Sequence, residues 1–207
     1  MKKLDLSKEY KRYYSAKTQP ELFEVGPARY ISITGQGDPN GSLFAEHLTA
    51  LYPVAYGLKF HAKALGKDFV VPKLEALWDF DEEKYAGISM EDAPVKIPRS
   101  EWNYRLLIRL PDFIEDKTVE SIKEETFAKK QLSHIRNVEF FEMPAKKVVQ
   151  MLHVGPFDKE FETLKVLKEF IDERMLGKGG SHHEIYLTDY RKTAPEKLRT
   201  ILRETVI

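Results

Sequence analysis

The hexapeptide Phe23-Glu24-Val25-Gly26-Pro27-Ala28 returns, one residue shorter, as Phe141-Glu142-Met143-Pro144-Ala145. From the shared Pro-Ala the register persists, so that Pro39 and Phe44 of the first copy stand opposite Pro156 and Phe161 of the second. In between, each copy runs from a strand pattern, Tyr30 to Thr34 or Lys147 to Leu152, through a turn with glycine and proline into a helical stretch. Two related modules are the economical reading, with chance similarity as the alternative. The first is expected over residues 22–130 and the second over 138–207, within one domain spanning 1–207.

In the first module Ser42 follows the turn Gly35-Gln36-Gly37-Asp38-Pro39-Asn40-Gly41 as an expected N-cap, and Phe44, Leu48 and Leu51 share a helical face. Pro53 suits the first turn of another short helix that ends at Gly66. Phe69 to Trp78 reads as a strand with a bulge or edge position at Pro72, and residues 79–100, acidic and interrupted by Gly87, Pro94 and Pro98, read as a long excursion loop. Trp102, Tyr104, Leu106, Ile108 and Leu110 alternate onto one face of a strand, and a helix is expected from Lys117 to Lys130. In the second module Asp158 is expected to cap a helix to Met175 with Phe161, Leu164, Leu167 and Ile171 at helical spacing. Gly177-Lys178-Gly179-Gly180 stops it, and Thr200 to Val206 alternates like a final strand. Helices over such a sheet cover one side, which predicts an uncovered face.

The strand after that glycine turn, Glu184-Ile185-Tyr186-Leu187-Thr188-Asp189, puts Ile185 and Leu187 on one face and Glu184 and Tyr186 on the other. Ordinary polar-out alternation accounts for this as well. A carboxylate and a phenol on an uncovered face lined with Trp and Tyr would instead form a groove. The repeat register sets Glu75, in Leu74-Glu75-Ala76-Leu77-Trp78, against Glu184, so the two glutamates are expected to line one cleft; a solvated strand residue is the plain alternative for Glu75. Trp78, Trp102, Tyr104 and Tyr56 each read first as core, although buried indole N–H and phenol O–H groups need partners.

Composition excludes several classes. With 33 basic and 33 acidic residues there is no basic field that asks for nucleic acid and no charge block that reads as a disordered tail. The lack of cysteine removes disulfides, thiolate nucleophiles and Cys-ligated zinc together, and fits a reducing interior. No apolar run approaches the ~20 residues of a membrane span, and Met1-Lys2-Lys3 leads into a charged segment instead of a signal-peptide core. A soluble cytoplasmic chain with no membrane partner is expected. His182-His183-Glu184 predicts no metal site, because adjacent strand residues diverge and the HExxH spacing is missing. The Gly35-x-Gly37-x-x-x-Gly41 turn lacks the Gly-Lys-Ser/Thr ending of a phosphate loop, and there is no Gly-x-Ser-x-Gly elbow, so no cofactor and no hydrolytic triad are expected.

Glu184 to Asp189, the following Arg191-Lys192-Thr193-Ala194-Pro195-Glu196-Lys197-Leu198 and the terminal Leu202-Arg203 resemble the end of the GyrI-like small-molecule-binding family. His153-Val154-Gly155-Pro156-Phe157 is similar to its Gly-Pro-aromatic turn before the long helix, and Tyr56-Gly57-Leu58-Lys59, Pro72 to Trp78 and Trp102 to Ile108 are similar to its stand-alone members over nearly the whole chain. The resemblance implies an α+β fold of two strand-helix-strand-strand modules about a pseudo-two-fold axis, with an antiparallel sheet, helices on one face and a ligand cleft between the modules. That cleft takes flat, aromatic, often cationic drug-like molecules, with a glutamate where Glu184 stands. Some members are effector domains of transcription activators, some bind gyrase, and a stand-alone branch hydrolyses cyclopropanoid compounds, a detoxification chemistry. The chain shows no helix-turn-helix ahead of the first module, which argues against a regulator. Two departures bear on the pocket wall: Tyr190 replaces the usual proline, and Ala76-Leu77-Trp78-Asp79 lacks the glycine and second tryptophan common in the stand-alone branch.

The chemistry implied is water addition to an activated cyclopropane, with Glu184 as base and Tyr186 as donor to the developing oxyanion. Trp78, Trp102, Tyr104 and Tyr56 would hold the planar ligand, with Glu75 across the cleft. The competing readings are a non-catalytic sink or sensor for drug-like lipophilic cations, and a protein-interaction inhibitor; under every reading a monomer or weak homodimer is expected.

Overall fold

The computed structural model describes residues 3–89 and 92–207, so Met1, Lys2 and two residues of the expected excursion loop lie outside the described residues. A single turn, α1 (Leu6–Glu9), precedes β1 (Glu21–Val25), β2 (Ala28–Gln36), α2 (Ser42–Ala64) and β3 (Leu74–Asp79). The short α3 (Ala93–Lys96), β4 (Asn103–Leu110) and α4 (Asp116–Lys130) follow, and then β5 (Glu139–Met143), β6 (Lys146–Val154), α5 (Glu160–Glu173), β7 (His182–Tyr186) and β8 (Arg199–Val206). The fold is α+β. One antiparallel sheet has the order β1-β6-β8-β7-β3-β4-β2-β5. Exchanging β1–β4 for β5–β8 reverses that order, so it reads the same from either edge. Each half holds four strands where three were expected: the repeated Phe-Glu segments are themselves edge strands, β1 pairing with β6 and β5 with β2. Among the described residues no helix is long and apolar enough to cross a membrane.

Several local expectations change. Pro53 does not start a new helix but lies inside α2, where Ala50, Leu51, Val54, Ala55 and Leu58 are all buried. Packing on that face outweighs the lost backbone bond that a proline costs a helix. The N-cap is Gly41, with no side-chain bond from Ser42. Residues 69–73 are not part of β3; Phe69 bridges Leu4 instead. The stretch 79–100 is not all loop, since α3 and a 3-10 turn at Arg99–Glu101 fall within it. Phe161 points outward, leaving Glu160, Thr163, Leu164 and Leu167 as the buried face of α5.

The helices α2, α4 and α5 share one face of the sheet, as the clusters around Ala76, Leu106 and Ile108 and around Val149 and Leu202 show. The opposite face is not uncovered. The N-terminal segment lays Leu6, Tyr13 and Tyr14 over Val148, Leu152, Ile185 and Ile201. Leu4 ties the segment down through backbone bonds to Asp68 and Val70, and Lys17 through one to Leu152. β4 explains the need for this cover, because Leu107 and Arg109 are buried on that side while Leu106, Ile108 and Leu110 are buried under the helices.

Beneath the segment, Glu75 is fully buried. It accepts from Tyr13 Oη at 2.5 Å and Tyr14 Oη at 3.4 Å, and its Oε2 lies 2.9 Å from His183 Nε2. Arg109 and Arg203 stack on the Tyr13 ring at 4.6 and 4.4 Å. Burial raises the Glu75 carboxyl to about 7, although the Tyr13 hydrogen bond and the Arg203 and Arg109 charges pull it down. The folded chain therefore binds a proton that the unfolded chain releases between the ordinary carboxylate value and about pH 7. Stability supplied by this group is present below that window and lost as pH rises through it. Glu75→Gln, which cannot titrate, should gain on wild type in urea denaturation by about 1 kcal/mol or more between pH 5 and 8; a pH-independent difference between the two would show that Glu75 does not carry the proton.

Candidate functional site

Directly paired residues in antiparallel ladders share a face. One row on the helix side crosses six strands as Ile33, Leu106, Ala76, Glu184, Leu202 and Met151. Glu184 is thus the one charged residue in an otherwise apolar row. Its neighbours along β7, His182 and Tyr186, point the same way by strand alternation, while His183 and Ile185 point to the N-terminal segment.

Glu184 is 9% exposed. Tyr186 Oη donates to its Oε2 at 2.5 Å and accepts from Trp78 Nε1–H at 3.3 Å. His182 sits between two carboxylates, with Nδ1 2.6 Å from Glu204 Oε1 and Nε2 3.3 Å from Glu184 Oε1, the latter off the line of a hydrogen bond. Burial alone would lower the His182 imidazole, but Glu204 and Glu184 outweigh it and push it up to about 10, so it is a cation at neutral pH. Burial, reinforced by the Glu184 charge, holds the Tyr186 phenol well above its ordinary value, so it remains a donor.

Aromatic rings roof this group. Trp78 lies parallel to Phe44 with centroids 5.9 Å apart and meets Trp102 and Tyr104 edge-on at 5.8 and 5.7 Å. Tyr104 is tied to His47 Nδ1 through its hydroxyl at 3.0 Å. Gly35 makes room for it, because a Cβ there would collide with the Tyr104 ring. Phe157 meets Tyr186 edge-on at 6.0 Å and Tyr190 at 6.3 Å, and both Phe157 and Tyr190 are substantially exposed at the rim. Of two shallow depressions of about 420 Å³, one is bordered by Gly35 and Tyr104 and the other lies by Arg12 and Glu21, and neither includes Glu184.

Of the residues singled out from sequence, the structure brings together Glu184, Tyr186, Trp78, Trp102 and Tyr104. Glu75 does not join them. It pairs with Ile185 on β7, and Ala76 faces Glu184, so the two glutamates point to opposite faces. The sequence register was one residue off, and a one-residue slip reverses every side chain in a strand. Tyr56 is 46% exposed and its ring neighbours Phe60 at 6.3 Å, with no ring contact to Trp78 among the described residues. Two participants were not anticipated. His182 was weighed only as a metal ligand, although its position two residues before Glu184 places it on the same face. Glu160 was hidden by the assumption that Phe161 points inward; its buried carboxyl is held well above the usual carboxylate range by burial and then by the Glu184 charge.

Tyr186→Phe removes the donor to Glu184 and the acceptor of the Trp78 N–H in one step. Leaving both groups without that partner should cost about 1–3 kcal/mol in chemical denaturation, and a cost near zero would show that the Trp78–Tyr186–Glu184 chain is not formed in solution.

Residues 111–203 match the GyrI-like small molecule binding domain. Among solved structures, the chain is 32% identical to a conserved, uncharacterized protein of Listeria innocua, with 99% of this chain and 100% of that one covered and a TM-score of 0.87. It is likewise 32% identical to a hydrolase of Listeria innocua, over 99% and 100% of the two chains, with a TM-score of 0.82. The C-terminal domain of EcmrR, at 15% identity over 91% and 97% with a TM-score of 0.56, shares the fold. No curated protein matches the chain.

Proposed function

The chain belongs to the GyrI-like small-molecule-binding family, and we propose that it is a hydrolase that adds water to activated cyclopropanes carried by flat aromatic compounds. The observation that carries this reading is the buried Glu184 carboxylate, held by the Tyr186 hydroxyl and flanked by His182, under a roof that includes Trp78. The hydrolase of Listeria innocua that matches over the whole chain supports the reaction class.

In this reading the planar substrate displaces the rim rings Phe157 and Tyr190 and stacks near Trp78 and Trp102, each such contact adding about 0.5–1.5 kcal/mol beyond burial. Glu184 takes a proton from water as that water attacks the strained carbon. The C–C bond that breaks sends its electrons to the carbonyl of the fused dienone, which becomes a phenolate. Tyr186, kept protonated by its surroundings, turns its O–H from Glu184 to that oxygen. Release of ring strain and gain of aromaticity supply much of the driving force, so a small constellation suffices.

The test is incubation with a duocarmycin-type spirocyclopropane dienone, followed by mass spectrometry for the product of water addition. Wild type should turn over, and Glu184→Gln should lose about 100-fold or more in kcat. Full turnover by Glu184→Gln would remove Glu184 from the chemistry. Wild type that quenches its tryptophan fluorescence on binding yet yields no ring-opened product would mark a sink or sensor and not an enzyme.

A further inference from the structure

Glu160 begins α5 at a position that faces the sheet, where the turns that follow place Leu164 and Leu167. It is only 9% exposed, and its Oε1 has no hydrogen-bond partner among the described residues. Its carboxyl lies near enough to Glu184, His182 and Thr200 for each to bear on its protonation. Thr200 is paired with Tyr186 in the β7–β8 ladder, two rungs from the pair Glu184 and Leu202 and therefore on the same face. Two carboxyls therefore approach one tyrosine from different elements, Glu184 along the strand and Glu160 from the helix above. An unpartnered carboxyl oxygen in an apolar layer is costly unless the group is neutral or has work to do.

The surroundings of the two carboxyls differ. Glu184 accepts from Tyr186 and has the His182 Nε2 3.3 Å from its Oε1. Glu160 meets burial and the Glu184 charge, which favour the acid, against a weaker pull from His182 and Thr200. Glu160 and Tyr186 also lie within electrostatic reach of each other, and Lys159, next to Glu160, is occupied with Glu162 at 3.8 Å. A buried carboxyl held toward its acid form, beside a second carboxyl that accepts a hydrogen bond, is an arrangement that can divide acid from base work.

We propose that Glu160 is the proton donor of this site. The inference rests on the hydrolytic reading above and deepens it. Water forms a bond to the strained carbon as the cyclopropane C–C bond breaks, and Glu184 takes the water proton. The electron pair of the broken bond runs to the dienone oxygen, held by the Tyr186 hydroxyl, and Glu160 gives its proton to that oxygen. After product release Glu160 regains a proton and Glu184 loses one, so the net change is addition of one water to the substrate, and neither oxidant nor metal enters the balance.

The decisive comparison is wild type against Glu160→Gln on the spirocyclopropane dienone, with kcat measured across pH and substrate affinity followed by tryptophan quenching. Glu160→Gln keeps the size of the side chain and a hydrogen-bond donor but has no proton to transfer. It should bind within about twofold of wild type, lose about 100-fold in kcat, and lack the fall in kcat at alkaline pH that deprotonation of the acid gives wild type. Infrared difference spectra should show a protonated-carboxyl band in wild type at neutral pH that Glu160→Gln removes. A Gln variant with unchanged kcat and an unchanged alkaline limb, in a wild type that does turn over, overturns the assignment while leaving the hydrolase intact. Wild type without any turnover overturns both. Should the Gln variant fail to fold, Glu160→Asp serves: it should lower kcat yet keep the alkaline limb, and loss of that limb in the Asp variant would count against Glu160 as the donor.

Discussion

The β3–β7 ladder joins the two halves of the sheet, and its register decides what each face can do. Pairing Ala76 with Glu184 and Glu75 with Ile185 sends one carboxyl to the helices and the other to the N-terminal segment. A shift of β3 by one residue would bring Glu75 onto the helix face beside Glu184 and send Trp78 to the other face, away from Tyr186. Both carboxyls sit near the middle of a sheet covered on both sides, so each must be met by donors or be neutral. The chain uses a different solution on each face. Glu75 is enclosed by tyrosine hydroxyls, a histidine and two stacked arginines. Glu184 has a tyrosine, a charged histidine and a rim of rings that reaches solvent.

That difference separates scaffold from site. The Glu75 network binds the N-terminal segment to three strands at once: Tyr13 bonds both Glu75 and Tyr30, and the Tyr13 carbonyl accepts from Arg203. Nothing in that enclosure is open to a ligand without lifting the segment. On the helix face, the rim beside Tyr186 is made of side chains. Phe157 and Tyr190 come from the turns before α5 and after β7, and they can turn aside without breaking a ladder. Access to Glu184 thus costs rotamer changes, whereas access to Glu75 would cost the hydrogen bonds and packing of a whole segment.

What the sequence discloses follows period and size. Alternation in β7 puts Glu184 and Tyr186 on one face, and alternation in β4 puts Tyr104 with Leu106, Ile108 and Leu110, because period two is a local property. The repeat located both halves, yet its Pro-Ala alignment ran one residue out of step with the strands, which misplaced Glu75. The helix phase of α5 was misjudged because Phe161 was given the inward position on hydrophobicity, when the turn Gly155-Pro156 and the 3-10 turn at Phe157–Lys159 rotate the helix to put Glu160 inward. Pro53 suits the start of a second helix by its sequence, yet lies inside α2, since buried contacts on its neighbours hold that helix together. The N-terminal cover was illegible for a different reason. Tyr10, Tyr13 and Tyr14 stand at helical spacing, yet α1 ends at Glu9, and their role exists only once Glu75, Arg109 and Arg203 have been brought beneath them.

The electrostatics of the helix face depend on how few cations it contains relative to its acids. Glu160, Glu184 and Glu204 gather around His182, which lies within ion-pairing distance of Glu184 and Glu204 and carries charge at neutral pH. One imidazolium cannot neutralise three carboxylates, and the apolar row around Glu184 offers no further donors. The cheapest resolution is for the acid without an ion-pair partner to keep its proton, and that acid is Glu160. A binding site for a neutral or cationic aromatic compound needs only the remaining carboxylate. Keeping a buried acid neutral beside it, within reach of the strand position that carries Tyr186, goes beyond what binding demands and is what proton transfer requires.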